Sequence, residues 1–426
     1  MKYDLIVCGG GPGGLMAAKT AAEDGLKVLL IERKKDITEI NRTCCQIFYI
    51  SYRGSTKSGI YCFREPVKLE IGKENNRFIF PTLGFSVDYQ GPLRPYYQYP
   101  HLSPSGYIID RYPKHNDKPI AFFFQKEVFL SGLLSEVEKA GVEVLTETMA
   151  LGAENTRDGV RVMVRTKSGE QTLEAKKAIA ADGIESRIVD SLGLNQDRQV
   201  LLSRLKGVGY VLEGVENNLP ASFLLISVPS INRFANILIY TLANGQMMMS
   251  TGTSAEGSPS MALDKFTNLP RYAPWFKNAR LVRKTAYGNF IRTPIKEPVA
   301  GNVVIVGDAG ATIETLIQGA VACGYLGVKA IEKELNGQNG YREYIDWWQQ
   351  AFEFNDPTYF STVNRYFSLN SLCSDEEVDY LYKTLEGKVG VPAVLIEQNL
   401  ELIKSDRPQL YEKLRQKQKQ FLKEPE

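Results

Sequence analysis

Histidine and metal-binding cysteine patterns are scarce in this chain of 426 residues. It contains only two histidines, His101 and His115, and its six cysteines show none of the paired spacings of a zinc site. Because zinc is bound by clustered Cys and His side chains, the sequence predicts no bound metal. Both histidines lie in a segment rich in Tyr and Pro, and we expect exposed loop residues without a catalytic role.

Charge of one sign and long apolar runs are lacking as well. The 51 basic residues nearly balance the 49 acidic ones, and a formal charge of +2 at pH 7 gives no bias toward nucleic acid. No apolar run is long enough to span a bilayer, although peripheral membrane contact stays open. Asp4 interrupts the first apolar run, which argues against a secretory signal. We therefore expect a cytoplasmic protein with reduced thiols.

Glycine, by contrast, is arranged in a characteristic way near the N-terminus. Residues 5–7 are apolar and predict a short buried strand, and Gly9, Gly11 and Gly14 follow in the pattern G-x-G-x-x-G. In a nucleotide-binding fold, Gly9 would permit a tight turn, Gly11 would let the backbone approach a pyrophosphate, and Gly14 would let the next helix pack on the strand. A helix predicted over 15–24 would direct its free N–H groups at the phosphates.

Glu32 follows the second predicted strand, 28–31, about 20 positions after the glycines. An acidic side chain at this place accepts hydrogen bonds from a ribose diol, which favours an unphosphorylated adenosine ribose, as in FAD or NAD. The alternative is an ordinary βαβ unit whose glycines only form turns. The strand, the glycines, the helix and Glu32 agree with one another, and this agreement favours the nucleotide site.

Two aspartates far from these glycines extend the pattern. Asp182 is followed by Gly183 in the middle of the chain, and a strand predicted over 303–306 ends in Gly307 and Asp308. An aspartate at the carboxyl end of a parallel strand lies in the ligand crevice of an open α/β sheet, where it can accept from a sugar hydroxyl. The three motifs together predict a bound FAD.

A further helix is predicted to begin at Gly319 and Ala320, with its N-terminal N–H groups facing a phosphate or the flavin ring. With this element, the chain resembles FAD-dependent oxidoreductases of the geranylgeranyl reductase type, within the superfamily that includes aromatic hydroxylases and flavin-dependent halogenases. The resemblance covers 1–50, 105–190 and 285–335. The residues that we expect to bind FAD are Gly9, Gly11, Pro12, Gly13, Gly14, Glu32, Arg33, Arg42, Gln125, Asp182, Gly183, Gly307, Asp308, Gly319, Ala320 and Val321.

The resemblance also implies a role for the segment 42–46, Arg-Thr-Cys-Cys-Gln, because such reductases often carry a cysteine near the flavin at this place. Cys44 and Cys45 are therefore candidate catalytic residues: a thiol could donate a proton, shape the pocket or form a vicinal disulfide. The alternative is that both are small apolar residues lining a pocket. Arg42 could bind a phosphate or the flavin, or it could lie on the surface.

Two departures from the family pattern concern the front edge of the flavin. Gly310 stands where hydroxylases usually carry a histidine, and residues 315–318 lack the usual proline. Both count against a hydroxylase, and the missing proline leaves the front edge open in either class. The flavin-contacting arginine of the family normally opens a helix, and here Arg111, Gln125 or Lys126 could take that place.

We predict an α/β fold, with a Rossmann-like FAD-binding domain, an inserted antiparallel β-sheet substrate domain and a helical C-terminal region. The expected boundaries are 1–60, 105–190 and 285–335 for the FAD-binding domain, 61–104 and 191–284 for the substrate domain, and 336–426 for the helical region.

The expected activity is hydride transfer from reduced FAD to a C=C bond of an apolar, isoprenoid or lipid-like substrate. The protein would supply position and electrostatics to the flavin. A general acid is needed, and Cys44, Cys45 or a tyrosine could serve. No second nucleotide motif is present, so electrons would come from transiently bound NAD(P)H or from an electron-donor protein. The alternatives are an FAD-dependent aromatic monooxygenase and a flavin-binding protein without turnover.

Overall fold

A computed structural model gives the fold of residues 2–50, 63–112, 119–217, 222–311, 314–356, 359 and 369–421. The helices of these residues are α1 (Pro12–Glu23), α2 (Lys126–Lys139), α3 (Arg187–Ser191), α4 (Pro259–Thr267), α5 (Leu316–Leu335), α6 (Gly340–Ala351), α7 (Asp375–Thr384), α8 (Pro392–Gln398) and α9 (Pro408–Phe421). Short 3-10 helices occur at Ala273–Phe276, Gly307–Ala309, Glu353–Asn355 and Leu400–Ile403.

The strands are mostly short. In chain order they are β1 (Tyr3–Cys8), β2 (Val28–Ile31), β3 (Ile47–Tyr49), β4 (Lys68–Ile71), β5 (Asn76–Phe80), β6 (Phe85–Tyr89), β7 (Leu93–Tyr96), β8 (Pro100–Leu102), β9 (Ile108–Asp110), β10 (Ala121–Phe124), β11 (Glu143–Leu145), β12 (Met149–Asn155), β13 (Val160–Thr166), β14 (Gly169–Ala180), β15 (Val200–Glu213), β16 (Phe223–Ile226), β17 (Ile237–Thr241), β18 (Met247–Thr253), β19 (Arg280–Arg292), β20 (Val299–Ala300) and β21 (Val303–Ile305).

The first sheet combines the N-terminal strands with strands from residues 143–180 and 299–305. Its parallel part has the order β11-β2-β1-β14-β21, and β12, β13 and β20 add to it in antiparallel pairs. The register aligns Cys8 with Ala180 and Ala180 with Ile305. The carboxyl ends of β1, β14 and β21 therefore meet at one edge, which is where open α/β sheets bind ligands.

Both faces of this sheet are covered, as expected for parallel strands. Leu5 and Val7 of β1 pack with α1, α2, α5 and α6 on one face, and Ile6 packs with α3 and the β12–β13 hairpin on the other. Helices α1 and α5 cross closely, because a Cβ atom built on Gly324 would lie 2.2 Å from the carbonyl oxygen of Gly13. This contact brings the start of α5 toward the glycine loop.

A second large sheet lies between β9 and β19 in the order β19-β15-β18-β17-β16-β8-β9. All of its pairs are antiparallel except that of β16 with β8. One face packs with the three-stranded sheet β3-β10-β7, and the other packs with α4. The predicted α/β class is confirmed, with one parallel pair in the inserted sheet that the sequence does not reveal.

Histidine is one point on which the sequence prediction is wrong. His101 lies in β8 and is only 1% exposed, because the parallel pairing of β8 with β16 buries this strand. Burial lowers the pKa of its imidazole well below the ordinary value, and the charge of Arg111 lowers it further. His101 is therefore a neutral buried side chain, not an exposed one. His115 lies outside the described residues.

The C-terminal helices α7, α8 and α9 form their own apolar cluster, which includes Ile109 of β9. The carboxylate of Asp379 on α7 accepts hydrogen bonds from Ser103 Oγ at 2.6 Å, and from the backbone N and Oγ of Ser105 at 2.8 and 2.6 Å. These bonds join α7 to the β8–β9 turn. In the part of the chain that the structure covers, no helix combines the length and apolar character needed to cross a membrane.

Candidate functional site

The glycine loop after β1 has the geometry that its spacing predicts. Gly9 has φ +115°, and a Cβ atom built on it would lie 2.2 Å from the carbonyl oxygen of Ala181. A Cβ atom on Gly14 would lie 1.8 Å from the carbonyl oxygen of Gly9, and one on Gly13 would lie 2.8 Å from that of Ala320. Each of these three glycines is thus required by a close backbone approach.

Gly11 differs from the other three glycines, because a Cβ atom built on it would meet nothing within 4 Å. It is the N-cap of α1, and Pro12 occupies the first turn of this helix. Proline suits that position because the N–H that it lacks would have no partner within the helix. Open space in front of a helix N-terminus fits an anion such as a pyrophosphate.

Glu32 follows β2 and is buried, with 7% of its surface exposed. Its Oε2 accepts a hydrogen bond from the backbone N of Gly10 at 2.6 Å, and its Oε1 accepts one from Lys34 N at 2.9 Å. These bonds orient the carboxylate against the glycine loop, and each oxygen retains a lone pair for a sugar hydroxyl. The neighbouring Arg33 is exposed.

Asp182 lies at the carboxyl end of β14, beside the glycine loop. Its Oδ2 accepts a hydrogen bond from Arg187 N at 3.0 Å, whereas its Oδ1 is buried without a partner among the described residues. Burial raises the pKa of this carboxyl, against several hydrogen bonds that lower it. Next to it, Gly183 has φ +87° and open space around its Cβ position. A buried oxygen without a partner is unusual in proteins, and it fits a bound polar group.

Asp308 lies in the 3-10 turn Gly307–Ala309 after β21. Its Oδ1 accepts hydrogen bonds from Thr315 N at 2.8 Å and from Thr315 Oγ1 at 3.0 Å, which closes the loop that leads to α5. Its Oδ2 makes no hydrogen bond with the described residues, so it can accept from a ligand hydroxyl.

Thr315 is fully buried, so Thr315→Val is expected to lower the free energy of unfolding by about 1.5–3 kcal/mol, as for other hydrogen bonds to charged groups. Denaturant unfolding measures this change. Thr384→Val is the matched control, since its hydroxyl donates to the uncharged backbone carbonyl of Tyr380 within α7. Equal losses in both variants would contradict a special role for the bond to Asp308.

The start of α5 corrects another prediction. The helix begins at Leu316, three residues before the predicted start, so Gly319, Ala320 and Val321 lie inside it. Gly319 faces the aromatic side chains of the C-terminal half, because a Cβ atom on it would lie 2.8 Å from Phe352 Cε1. The N–H groups that point out of the helix are those of residues 316–318.

Two non-glycine residues near this helix start adopt left-handed backbone conformations, Leu316 with φ +62° and Gln46 with φ +53°. Such strain persists only where the surroundings enforce it, and it is common at functional sites. Gln318, in the first turn of α5, is 2% exposed, and its Oε1 has no partner among the described residues. The sequence did not single out Gln318, because a glutamine within a helix is common and indicates no function.

The loop carrying Cys44 and Cys45 is held against the second large sheet. Thr43 Oγ1 lies 2.8 Å from Thr285 Oγ1, and Tyr240 Oη donates to the carbonyl oxygen of Cys44 at 3.4 Å. Both cysteines are free thiols. Cys45 packs into the apolar cluster that contains Tyr240, and burial raises the pKa of its thiol strongly.

Leu316 packs on the same apolar cluster as Cys45. The corner before α5 therefore meets the Cys44–Cys45 loop, with β19 beneath both. Arg42 pairs with Ala286 of β19 in an isolated bridge, next to Tyr287. We call the space between this loop and this corner the front pocket.

Glu314, which the sequence analysis did not single out, is at this corner. Its side chain is exposed, and it lies close to Cys45 and to Tyr287 of β19, since its charge raises the pKa of both groups. Desolvation, and then the charge of Asp308, raise the pKa of Glu314 to about 7, while Arg42 and Lys126 lower it. The available signal was an acidic residue next to the N-cap of a helix.

Of the three candidates for the arginine of the family, two lie near the front pocket. Lys126 opens α2, and its backbone N donates to Gln46 Oε1 at 2.9 Å, while Gln125 is the N-cap of the helix. Arg111 lies elsewhere: it is buried after β9, with its guanidinium 5.1 Å from the ring centroid of Tyr99.

Comparison with known proteins agrees with this geometry. The sequence profile described as FAD dependent oxidoreductase matches residues 4–37, and the profile described as FAD binding domain matches residues 114–213. The chain is an FAD-dependent oxidoreductase. These matched residues contain the glycine loop, Glu32, Gln125 and Asp182. The described residues hold no cluster of His, Cys, Asp and Glu that could bind a metal ion.

Relatives of nearly the same length carry reductase names. A digeranylgeranylglycerophospholipid reductase of Methanococcus vannielii is 24% identical over 92% of this chain and 95% of its own, and that of Methanothrix thermoacetophila is 24% identical over 82% and 84%. This flavoenzyme resembles the geranylgeranyl reductases over most of its length.

Solved structures share the fold. A geranylgeranyl bacteriochlorophyll reductase-like protein of Thermoplasma acidophilum has a TM-score of 0.68 at 20% identity, covering 97% of this chain and 98% of that one. The p-nitrophenol 4-monooxygenase of Pseudomonas putida has a TM-score of 0.63 at 14% identity, with the same coverage. Reductases and monooxygenases therefore share this architecture, and the residues of the front pocket must decide between them.

Proposed function

We propose that this flavoenzyme reduces a C=C bond of an apolar, isoprenoid or lipid-like substrate in the front pocket, with Glu314 as the proton donor. The observation that carries this proposal is the Glu314 carboxyl, whose pKa is raised to about 7, close to Cys45 and Tyr287 beside an apolar aromatic cluster. Relatives named as reductases of a geranylgeranyl lipid support the reductase class.

The residues around the sheet edge fit FAD. The loop from Gly9 to Gly14 and the N-terminus of α1 would hold the pyrophosphate, Glu32 would accept from the adenosine ribose, and Asp308 would accept from the ribityl chain. Two features of this structure support that assignment: the buried Oδ1 of Asp182 lacks a hydrogen-bond partner among the described residues, and the space in front of Gly11 is open. When bound and reduced, FAD supplies the hydride.

Aromatic side chains form one wall of the front pocket. Tyr240 stacks on Phe223 with ring centroids 4.7 Å apart and on Phe123 with centroids 5.6 Å apart, and Cys45 packs against them. This wall would bury an apolar chain and exclude water from the reacting carbons. Cys45 would then line the pocket as a small apolar group.

Reduction of a C=C bond places a hydride on one carbon and a proton on its neighbour. A carboxylic acid with a pKa near the working pH is well suited to give that proton. The Glu314 carboxyl meets this condition and can regain a proton from solvent, because its side chain is accessible. The thiol of Cys45 is a much weaker acid, since burial raises its pKa far above 9. We therefore assign the proton to Glu314.

Anaerobic photoreduction of the purified holoenzyme, followed by rapid mixing, tests the proposed reaction. Mixing with an isoprenoid alcohol or lipid that contains isolated C=C bonds is expected to return the oxidised flavin spectrum and to yield a product heavier by two hydrogens in mass spectrometry. Mixing with oxygen is expected to return the same spectrum without a transient absorbance. Incorporation of labelled oxygen into an aromatic substrate would instead show a monooxygenase. Failure with every substrate, despite tight FAD, would favour a flavin-binding protein without turnover.

The same apparatus tests the electron donor. We propose that electrons arrive from transiently bound NAD(P)H or from a donor protein, since no second nucleotide motif follows the first. Bleaching of the flavin by NADPH or NADH under argon would identify the nicotinamide route. A flavin that only dithionite or light reduces would point to a protein donor.

A further inference from the structure

A second concave site lies on the face of the large antiparallel sheet opposite the front pocket. In β18, Met248 packs with Cys45 and Tyr240, whereas Met247 and Met249 pack with α4 on the other face. A cavity of about 300 Å³ opens on the α4 side, between this helix and the turn 231–234. That volume is at the lower end of the range for small-ligand sites.

Thr253, at the end of β18, is one of the residues that line this cavity, and its hydroxyl group is unusual. The residue is 7% exposed, and its Oγ1 has no hydrogen-bond partner within the described residues. Buried hydroxyls normally have a partner, since an unpaired one destabilises the protein. The same group can donate one hydrogen bond to a ligand oxygen.

Two cationic side chains line the same cavity, Arg233 on the turn and Lys265 on α4. Both are exposed, and neither forms an ion pair or a side-chain hydrogen bond with the residues that the structure describes. Two acidic residues are close in sequence: Glu256 is exposed, and Asp264 accepts from Tyr210 Oη at 3.3 Å. Two cations and a buried hydroxyl on one cavity are complementary to an oxyanion.

Apolar side chains complete the lining. Met261 on α4 is 56% exposed, an unusual value for so large an apolar side chain, and Phe234 is half-buried beside it. An inorganic ion would leave these two side chains uncovered. A ligand with both a charged end and an apolar substituent would use the whole cavity.

We propose that this cavity binds a small phosphate ester with an apolar substituent. Its phosphate group would lie between Arg233 and Lys265 and accept a hydrogen bond from Thr253 Oγ1, and its substituent would cover Met261 and Phe234. This site is separate from the front pocket and does not depend on the proposed reaction. The ester could be a soluble molecule or the headgroup of a lipid at a bilayer surface.

Calorimetric titration of the full-length holoenzyme with n-octyl phosphate tests the proposal, with n-octanol as the uncharged comparison. Saturable binding of the phosphate alone is expected. Thr253→Val, and separately the double variant Arg233→Gln/Lys265→Gln, are each expected to weaken binding about tenfold or more. The control pair Lys73→Gln/Lys388→Gln removes the same charge from exposed positions elsewhere and is expected to leave binding unchanged. Equal weakening by the control pair, or no saturable binding, would overturn the proposal.

Co-sedimentation with vesicles distinguishes the two sources of the phosphate. Vesicles of an anionic phospholipid and of a neutral one are compared, with the same variants. Retention on anionic vesicles that both cavity variants abolish would identify a lipid headgroup. No retention, together with variant-sensitive binding of octyl phosphate, would identify a soluble ester.

Thermal unfolding provides a readout that a purely structural role would not produce. Because valine has the shape of threonine without its unpaired hydroxyl, Thr253→Val is expected to raise the melting temperature of the unliganded protein while it weakens binding. Octyl phosphate should raise the melting temperature of the native protein more than that of the variant. A variant that melts earlier without ligand would show that the hydroxyl is already satisfied, and the proposal would fail.

Discussion

Glu314→Gln is expected to lower the rate of substrate reduction by about 100-fold or more at pH 6, which is the usual contribution of a general acid. Glutamine keeps the shape of the side chain but cannot give up a proton at the carbonyl oxygen. FAD should still bind, because the pyrophosphate loop, Glu32 and Asp308 are unchanged. The reduced holoenzyme, mixed with substrate under argon, gives the rate directly.

The pH dependence separates this role from a structural one. The pKa of Glu314 is about 7, so its acid form predominates below pH 7 and disappears above it. The rate for the native enzyme is therefore expected to fall with a one-proton slope as pH rises through about 7, and the rate for Glu314→Gln should not change there. A pH-difference spectrum of the bound flavin should show the same titration in the native enzyme alone.

Two controls accompany this prediction. Glu74→Gln removes an exposed carboxyl from the β4–β5 turn and is expected to leave rate and profile unchanged. Cys45→Ala is expected to slow the reaction by less than about tenfold, because a half-buried neutral thiol shapes the pocket without supplying the proton. Two outcomes would contradict Glu314 as the proton donor and favour Cys45 instead. One is a native pH profile in Glu314→Gln, and the other is a loss of rate in Cys45→Ala as large as that in Glu314→Gln.

Gly14→Ala is expected to prevent stable folding of the FAD-binding sheet. The added Cβ would lie 1.8 Å from the carbonyl oxygen of Gly9, a backbone contact that no rotamer change can relieve. Overpacking of a core costs about 1–3 kcal/mol where side chains can adjust, and here the backbone itself must move. We expect insoluble protein, or a strongly lowered melting temperature.

Gly11→Ala is the matched comparison, three residues away. Gly11 has φ −76°, which alanine adopts freely, and its Cβ would meet no protein atom within 4 Å. The unliganded variant should therefore melt like the native protein. The methyl group would occupy the space for the pyrophosphate, and a clash of about 1–3 kcal/mol would weaken FAD binding about 5- to 150-fold. Flavin fluorescence titration measures this; native affinity in Gly11→Ala would place the pyrophosphate elsewhere.

The parts of the site that the sequence predicted are those whose chemistry is local. A strand, three glycines and an acid within 30 residues determine one backbone turn, so Gly9, Gly11, Gly14 and Glu32 lie as expected. Asp182 and Asp308 were predicted for the same reason, since each ends a buried strand. The specific FAD contacts of these residues remain predictions.

The parts that the sequence did not reveal depend on distant neighbours. The pKa of Glu314 is raised to about 7 by desolvation and by the charge of Asp308, against the opposing charges of Arg42 and Lys126, and the fold brings these groups together from distant parts of the chain. His101 is buried because β8 pairs with a strand that follows it by more than 100 residues. The start of α5 was misplaced because Leu316 adopts a positive φ, which a sequence pattern assigns to glycine.

The order of the parallel strands has a consequence for how the enzyme is made. β14 lies between β1 and β21, so the sheet edge that would hold FAD contains residues from positions 8, 180 and 305. A nascent chain cannot complete this edge until more than two thirds of it has left the ribosome, and its first 200 residues leave the last residues of β14, 178–180, unpaired on the side opposite β1. Contacts this distant in sequence form slowly. We therefore expect FAD to bind late in folding, after β21 has paired with β14. Bound FAD would then stabilise only those chains in which the C-terminal half has folded onto the N-terminal half.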